Sequence, residues 1–305
     1  MKRTMDKSEL GLGTWQFGPS HGFWIDQDQR SSRAVLKLAL KAGIRHFDTA
    51  PSYGNGLSEQ LLSSVIQTRD QVQLASKFMP KKPELVRIDV QKSLGRLKTD
   101  YLDILYLHWP SSRLALKPVM SAACSLIKEG LVRQVGACNI PISYLRELED
   151  LPITVLQIPC SLLWDRSIAQ YRQYAHDHGM ALVGYSPLGL GLLGGNHPSP
   201  PEDGRKDLYV FRPEAYAHYR NLLDLLSRLA ERKGCTSAQL ALLWARSQGF
   251  STIVAGSRNE EQLRQLIYTS HLELDEEEIS LLDERAEALT SYAPSSWDNY
   301  FGHRW

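Results

Sequence analysis

The chain has 305 residues and a net charge of +1, with 23% charged and 43% hydrophobic residues. That balance gives no pull toward nucleic acid or an anionic membrane, and no apolar run approaches the ~20 residues a membrane helix needs. The cysteines, Cys124, Cys138, Cys160 and Cys235, form no CxxC pair. They read as reduced thiols, and the N-terminal MKRTMDKSEL lacks the apolar core of a secretory leader, so a cytoplasmic location is the expectation.

Apolar periodicity then alternates along the chain. Residues 10–14 are strand-like, and 31–42 read as a helix with Val35, Leu38, Ala39 and Ala42 on one face and Gly43 as its stop. Strand 44–48 precedes a helix over 58–67, and strand 72–77 precedes a helix over 84–97. Strand 102–108, helix 118–128 and strand 132–138 continue the series. A short helix at 142–148, strand 155–158, helix 168–178 and strand 181–185 follow. A long loop covers 186–212, and helices at 213–233 and 237–248 lead to strand 252–255. Helices at 260–269 and 275–288 precede an irregular aromatic tail.

Eight βα units imply a parallel sheet with helices outside it, in a single domain over 1–305. An open doubly wound sheet is the competing arrangement. Polar residues follow nearly every strand rather than clustering at one crevice, which favours an α/β (β/α)8 TIM barrel with its chemistry at the mouth.

Asp48, Lys77 and His108 each end an apolar strand, and Tyr53 follows Asp48 in FDTAPSYGNG. Each has an ordinary reading alone: Asp48 as a helix cap, His108 before Trp-Pro as a packed core residue. Together they are more informative, because Asp48 and Lys77 offset each other's charge if they share a cavity. An ammonium beside Tyr53 favours phenolate, lowering its pKa from ~10 toward neutrality and making it a proton donor to a carbonyl oxygen. His108 can hydrogen-bond the same oxygen. There is no GxSxG turn and no HExxH or comparable ligand cluster, so no metal is expected; His176 and His178, two apart on a helix, face different sides. The set suits carbonyl reduction with a bound nicotinamide.

At these residues the chain resembles the aldo-keto reductase family. The matching runs are LGLGTWQFG (10–18), GIRHFDTAPSYGNGLSEQLL (43–62), LASKF (74–78), SLGRLKTDYLDILYLHWP (93–110), KEGLVRQVGACN (128–139), GYSPLGLGLL (184–193) and GSRNEEQL (256–263). They occur in family order and span nearly the whole chain. The resemblance implies a TIM barrel that binds NADP(H) in extended form. It implies Tyr53 as general acid/base, Lys77 and Asp48 as its tuning pair, and His108 as substrate orienter. Thr14, Trp15 and Asp48 would border the cofactor, Asn139 and Gln157 would hold the nicotinamide carboxamide, and Tyr185 would lie by its ring. Ser186, Leu188 and Gly191 would follow the pyrophosphate, with Gly256, Ser257, Arg258, Gln262 and Gln265 at the adenosine end. An arginine beside a hydroxyl at a helix start suits a 2′-phosphate, so NADP(H) is favoured over NAD(H). Residues 189–194, GLGLLG, fit GxGxxG by letter but open no convincing helix and read as a loop beside the cofactor backbone.

Several positions depart from the family pattern: Cys138 for serine, Ser161 for asparagine, Asn196 for lysine, and Gln265-Leu266 for Glu-Asn. Their losses fall on the cofactor grip, which Arg258 and a loop with Asp203, Gly204 and Arg205 can compensate. The substrate pocket is expected to include Trp15, Phe17, Trp24, Phe78, His108 and Trp109, with Trp297 and Tyr300 from the tail. Aromatic walls suit a small or medium carbonyl compound as the partner. A monomer is expected on family grounds. Two other readings stand beside reduction: an NADPH-sensing regulatory protein, and a Schiff-base aldolase using Lys77.

Overall fold

The computed structural model describes residues 9–19, 23–24, 26–164, 167–195 and 199–294. Eight parallel strands close into a barrel in chain order, with the last pairing back onto the first. They are β1 (Glu9–Gly13), β2 (His46–Asp48), β3 (Gln73–Phe78), β4 (Leu102–Leu107), β5 (Val132–Cys138), β6 (Ile153–Pro159), β7 (Ala181–Tyr185) and β8 (Thr252–Gly256). Helices α1 (Gln29–Lys41), α2 (Leu57–Ser63), α3 (Pro83–Leu97), α4 (Leu116–Lys128), α5 (Ile142–Arg146) and α6 (Ile168–Asp177) connect the first seven strands. Helices α7 (Pro213–Lys233) and α8 (Ser237–Arg246) precede β8; α9 (Glu260–Tyr268) and α10 (Glu276–Thr290) follow it. The barrel is the expected fold.

Side chains along these strands alternate, and two cores result. Outward residues such as Phe47, Leu74, Leu105, Leu107, Leu156 and Ile253 join the large core between strands and helices. Inward residues Ala75, Ile104, Tyr106, Cys138, Val155, Val183 and Val254 fill the barrel. Tyr106 is the bulkiest of these, and a Cβ on Gly136 would lie 2.6 Å from its ring. A glycine is required where that ring crosses the neighbouring strand.

Helix ends differ from the expected ones for local reasons. Helix α2 stops at Ser63, and Ser64 returns its hydroxyl to the Leu61 carbonyl at 2.7 Å. Helix α4 begins at Leu116, two residues before Pro118, because a proline in the first turn lacks only an N–H that has no helical partner there. His178 lies just past the end of α6, where it stacks on Tyr174 with ring centroids 4.0 Å apart and sits 3.3 Å from Glu149. The loop after β7 carries short 3-10 turns at Gly189–Gly191, Gly204–Asp207 and Tyr209–Phe211. No helix among the described residues is long and apolar enough to cross a membrane.

Candidate active site

The period of two in the strands also builds the site. Ala75 faces into the barrel, so Lys77 does too, while Ser76 and Phe78 point outward. The same count turns Asp48 inward beside outward Phe47, His108 beyond inward Tyr106, Gln157 beyond Val155, and Tyr185 beyond Val183. All of these lie at the C-terminal ends of their strands, where they border a cavity of about 730 Å³. That volume falls in the usual range for a small-molecule site.

Tyr53 reaches this cavity from a loop. It opens a 3-10 turn in which Gly54 and Asn55 take left-handed φ angles of 58° and 53°. A Cβ on Gly54 would meet Gly18 Cα at 2.9 Å, so the Tyr53 loop packs backbone to backbone on the β1 loop. Glu59, fully buried in α2, anchors the other side. Its carboxylate accepts from Ser76 Oγ at 2.8 Å and from Arg96 Nε at 2.5 Å. Because Ser76 neighbours Lys77, one carboxylate ties the tyrosine loop to the lysine strand.

Below Tyr53 the polar groups form a connected set. Lys77 Nζ lies 2.5 Å from Asp48 Oδ1, donates to the Thr49 carbonyl at 2.9 Å, and sits 5.0 Å from the Tyr53 ring centroid. Burial opposes the charge of Lys77, but Asp48, Tyr53 and Cys138 together outweigh it and hold the ammonium above its ordinary range. Burial pushes Tyr53 up to about 12; Lys77 pulls it down and Asp48 pushes it up again. The expected lowering of the Tyr53 pKa toward neutrality is therefore not what this arrangement produces, because desolvation exceeds the help from Lys77. His108 meets Tyr53 edge-on with ring centroids 5.8 Å apart.

The next layer is linked by hydrogen bonds. Gln157 Nε2 donates to Asp48 Oδ2 at 2.8 Å, and Cys138 Sγ donates to Gln157 Oε1 at 3.0 Å. Asn139 Nδ2 donates to the His108 carbonyl at 3.1 Å, and Tyr185 Oη donates to Asn139 Oδ1 at 2.7 Å. The amides expected to hold a carboxamide thus also brace Asp48 and His108. Each keeps one further N–H and one lone pair for a ligand.

The cavity continues past Ser186, Leu188, Gly191 and Arg205 to Arg258, Gln262 and Gln265. Ser186 and Leu190 adopt φ of 55° and 59°, uncommon for non-glycine residues and concentrated at functional turns. Two buried polar atoms beside this channel, Trp24 Nε1 and Ser257 Oγ, have no hydrogen-bond partner among the described residues. An elongated channel with an arginine at the far end and such unpaired donors fits an extended dinucleotide.

The Aldo/keto reductase family model matches residues 9–287. The chain belongs to the aldo/keto reductase family. This aldo/keto reductase is 29% identical over 312 residues to the Escherichia coli (strain K12) protein named NADH-specific methylglyoxal reductase, covering 92% of this chain and 95% of that one. It is also 29% identical over 282 residues to aldo-keto reductase YhdN of Bacillus subtilis (strain 168), covering 86% and 85%. The solved thermostable aldo-keto reductase Tm1743, in complex with the inhibitor epalrestat, matches with TM-score 0.73 at 28% identity over 90% of this chain and 94% of that one. The protein is thus an oxidoreductase of a family whose members use nicotinamide cofactors. One relative's name specifies NADH, so membership alone does not choose between NADH and NADPH.

Within this aldo/keto reductase, the expected residues Thr14, Trp15, Trp24, Asp48, Tyr53, Lys77, His108, Trp109, Asn139, Gln157, Tyr185, Ser186, Leu188, Gly191, Gly256, Arg258, Gln262 and Gln265 border the cavity. Phe17 and Phe78 do not: both are buried in the outer core, Phe78 because alternation turns it away from inward Lys77. Ser257 is buried beside the channel rather than on its wall. Trp297, Tyr300 and Asn196 lie outside the described residues. Met79, Gln16 and Ala238 line the cavity without having been expected there. Met79 directly follows strand β3, so its place after a site-bearing strand was the available signal. The GLGLLG run opens no helix; its first residues form the 3-10 turn at Gly189–Gly191. Among the described residues no group of His, Cys, Asp and Glu could hold a metal ion.

Proposed function

We propose that this aldo/keto reductase reduces an aldehyde or ketone to its alcohol with NADPH, using Tyr53 as the proton donor. The observation that carries this reading is the convergence of Tyr53, Lys77, Asp48 and His108 at one end of a channel whose other end holds Arg258. NADPH, when bound, supplies the hydride that the protein itself lacks. Tyr53 gives its phenolic proton to the carbonyl oxygen as negative charge grows there, and His108 aims that oxygen. Lys77, held by Asp48, stabilises the phenolate that remains until solvent returns a proton. Asn139 and Gln157 would hold the carboxamide, Tyr185 would flank the ring, and Arg258 would face the 2′-phosphate with Ser257 buried beside it.

Trp15, Trp24 and Trp109 form an aromatic wall near Tyr53, with Trp15 and Trp24 edge-to-face at 5.7 Å. Such a wall suits small and medium carbonyl compounds, including aromatic ones. A Schiff-base role for Lys77 is opposed by its partners, since an attacking amine must lose the proton that Asp48 stabilises.

The test is a panel of aldehydes and ketones followed by NADPH absorbance, with Tyr53→Phe as control. Turnover lost in the control supports reduction and separates it from a sensing role. No turnover of any carbonyl compound, or a control equal to wild type, rejects it.

A further inference from the structure

The adenosine end of the channel is closed by segments far apart in sequence. Arg258, between β8 and α9, places Nη2 2.8 Å from Asp26 Oδ1. The adjacent Gln27 clasps the same residue twice. Its Oε1 accepts from Arg258 Nε at 3.0 Å, and its Nε2 donates to the Arg258 carbonyl at 2.9 Å. The guanidinium that would meet a phosphate therefore already has an anionic partner and a fixed orientation.

Neighbouring charges add to this. Arg205 also lines the channel, and its Nε lies 2.8 Å and 3.1 Å from the two oxygens of Asp203. Asp26 feels Arg258 and, more weakly, Arg205; Asp203 feels Arg205 and, in the opposite sense, Asp26. Two arginines and two aspartates sum to zero where a dinucleotide would carry its phosphates. The first turn of α9 contributes little attraction of its own, because Glu260 and Glu261 oppose the field of the helix terminus.

NADH and NADPH differ at this end alone, by one phosphate monoester. To engage that group, Arg258 must divide its charge between the phosphate and Asp26, and the carboxylate then stands near a dianion. NADH requires neither change. We propose that Asp26 is a specificity-determining residue that competes with the 2′-phosphate for Arg258, lowering affinity for NADPH relative to NADH. The inference rests on the nicotinamide-dependent reading above. Its size is modest, because the Asp26 side chain is 72% exposed and that of Arg258 34%. Competition from so exposed a pair corresponds to roughly 1.5- to five-fold in affinity.

Fluorescence titration of the purified full chain with NADPH and with NADH tests it, in wild type, Asp26→Asn, Arg258→Gln and the double variant. Asp26→Asn is expected to tighten NADPH by about 1.5- to five-fold and to leave NADH unchanged. The gain is expected to vanish in the Arg258→Gln background, and Asp26→Ala is expected to reproduce it. Equal shifts for both cofactors, no shift, or a gain persisting in full without Arg258 overturns the inference. Tighter NADH than NADPH binding in wild type, with the gain in Asp26→Asn, supports it while rejecting the NADPH preference proposed above. Binding of neither cofactor rejects both.

Discussion

Gln157 Nε2 donates to Asp48 Oδ2 while Lys77 Nζ holds Oδ1, so both oxygens of the buried carboxylate beneath Tyr53 are occupied. The carboxylate can only accept, which fixes the NH2 side of the Gln157 amide toward it and turns its oxygen to Cys138. Losing a hydrogen bond to a charged group costs about 1.5–3 kcal/mol. Gln157→Leu is therefore expected to destabilise the protein by about that amount in denaturant unfolding and to lower kcat roughly ten-fold or more. Gln157→Glu, which sets two carboxylates side by side, is expected to introduce a new ionisation into the pH–rate profile. A Gln157→Leu enzyme with wild-type kcat would show that Asp48 does not need this brace.

Tyr53→Phe removes the proposed donor without disturbing the ring contacts with Trp15 and His108. Reduction is expected to fall by about 10²–10⁴-fold, the usual contribution of a positioned acid. Cofactor affinity, measured by titration, is expected to stay near wild type. A parallel loss of binding would point to a structural role for the hydroxyl instead.

The pH dependence follows from Tyr53 being pushed up to about 12, by burial first, with Lys77 lowering it and Asp48 raising it. The phenol stays protonated through neutral and mildly alkaline solution. Reduction consumes that proton, so its kcat/KM is expected to show no tyrosine-linked fall below about pH 10. Alcohol oxidation needs the phenolate and is expected to rise about ten-fold per pH unit over the same span. Lys77→Met removes the charge that favours phenolate, so oxidation at pH 9 is expected to suffer more than reduction. Initial rates in both directions across pH check this, and a fall in reduction near pH 7 would contradict it.

Arg96 faces fully buried Glu59 at 2.5 Å and packs under Gly56, three residues beyond Tyr53. Arg96→Ala leaves the Glu59 charge buried and uncompensated, which costs about 3–5 kcal/mol. The double variant Arg96→Ala, Glu59→Gln is expected to recover much of that loss in denaturant unfolding. Turnover is expected to drop in Arg96→Ala even where it stays folded, because Glu59 also holds Ser76 beside Lys77.

The barrel was legible because its signal is local. Alternating strand and helix periods, read a few residues at a time, identify each βα unit, and a residue's distance from an inward neighbour says which way it points. The inward turn of Asp48, Lys77, His108 and Gln157 follows from that count. Phe78 shows the rule's value when neglected: one position beyond Lys77, it falls on the outer core. Helix ends such as Ser64 and Leu116 were less legible, since a single side-chain hydrogen bond or a first-turn proline shifts them by two or more residues.

By itself, then, the sequence determined the fold, the set of groups at the barrel mouth and the family, because each depends on short-range pattern. Only the tertiary structure decided how those groups share bonds and charge. Gln157 meets Asp48 across 109 residues, and Gln27 meets Arg258 across 231. Closure of β8 onto β1 brings the Asp26–Gln27 segment to Arg258, and no local pattern encodes that meeting. The depth of Tyr53 likewise set its high pKa, because desolvation depends on everything packed around the hydroxyl, not on the nearest lysine alone.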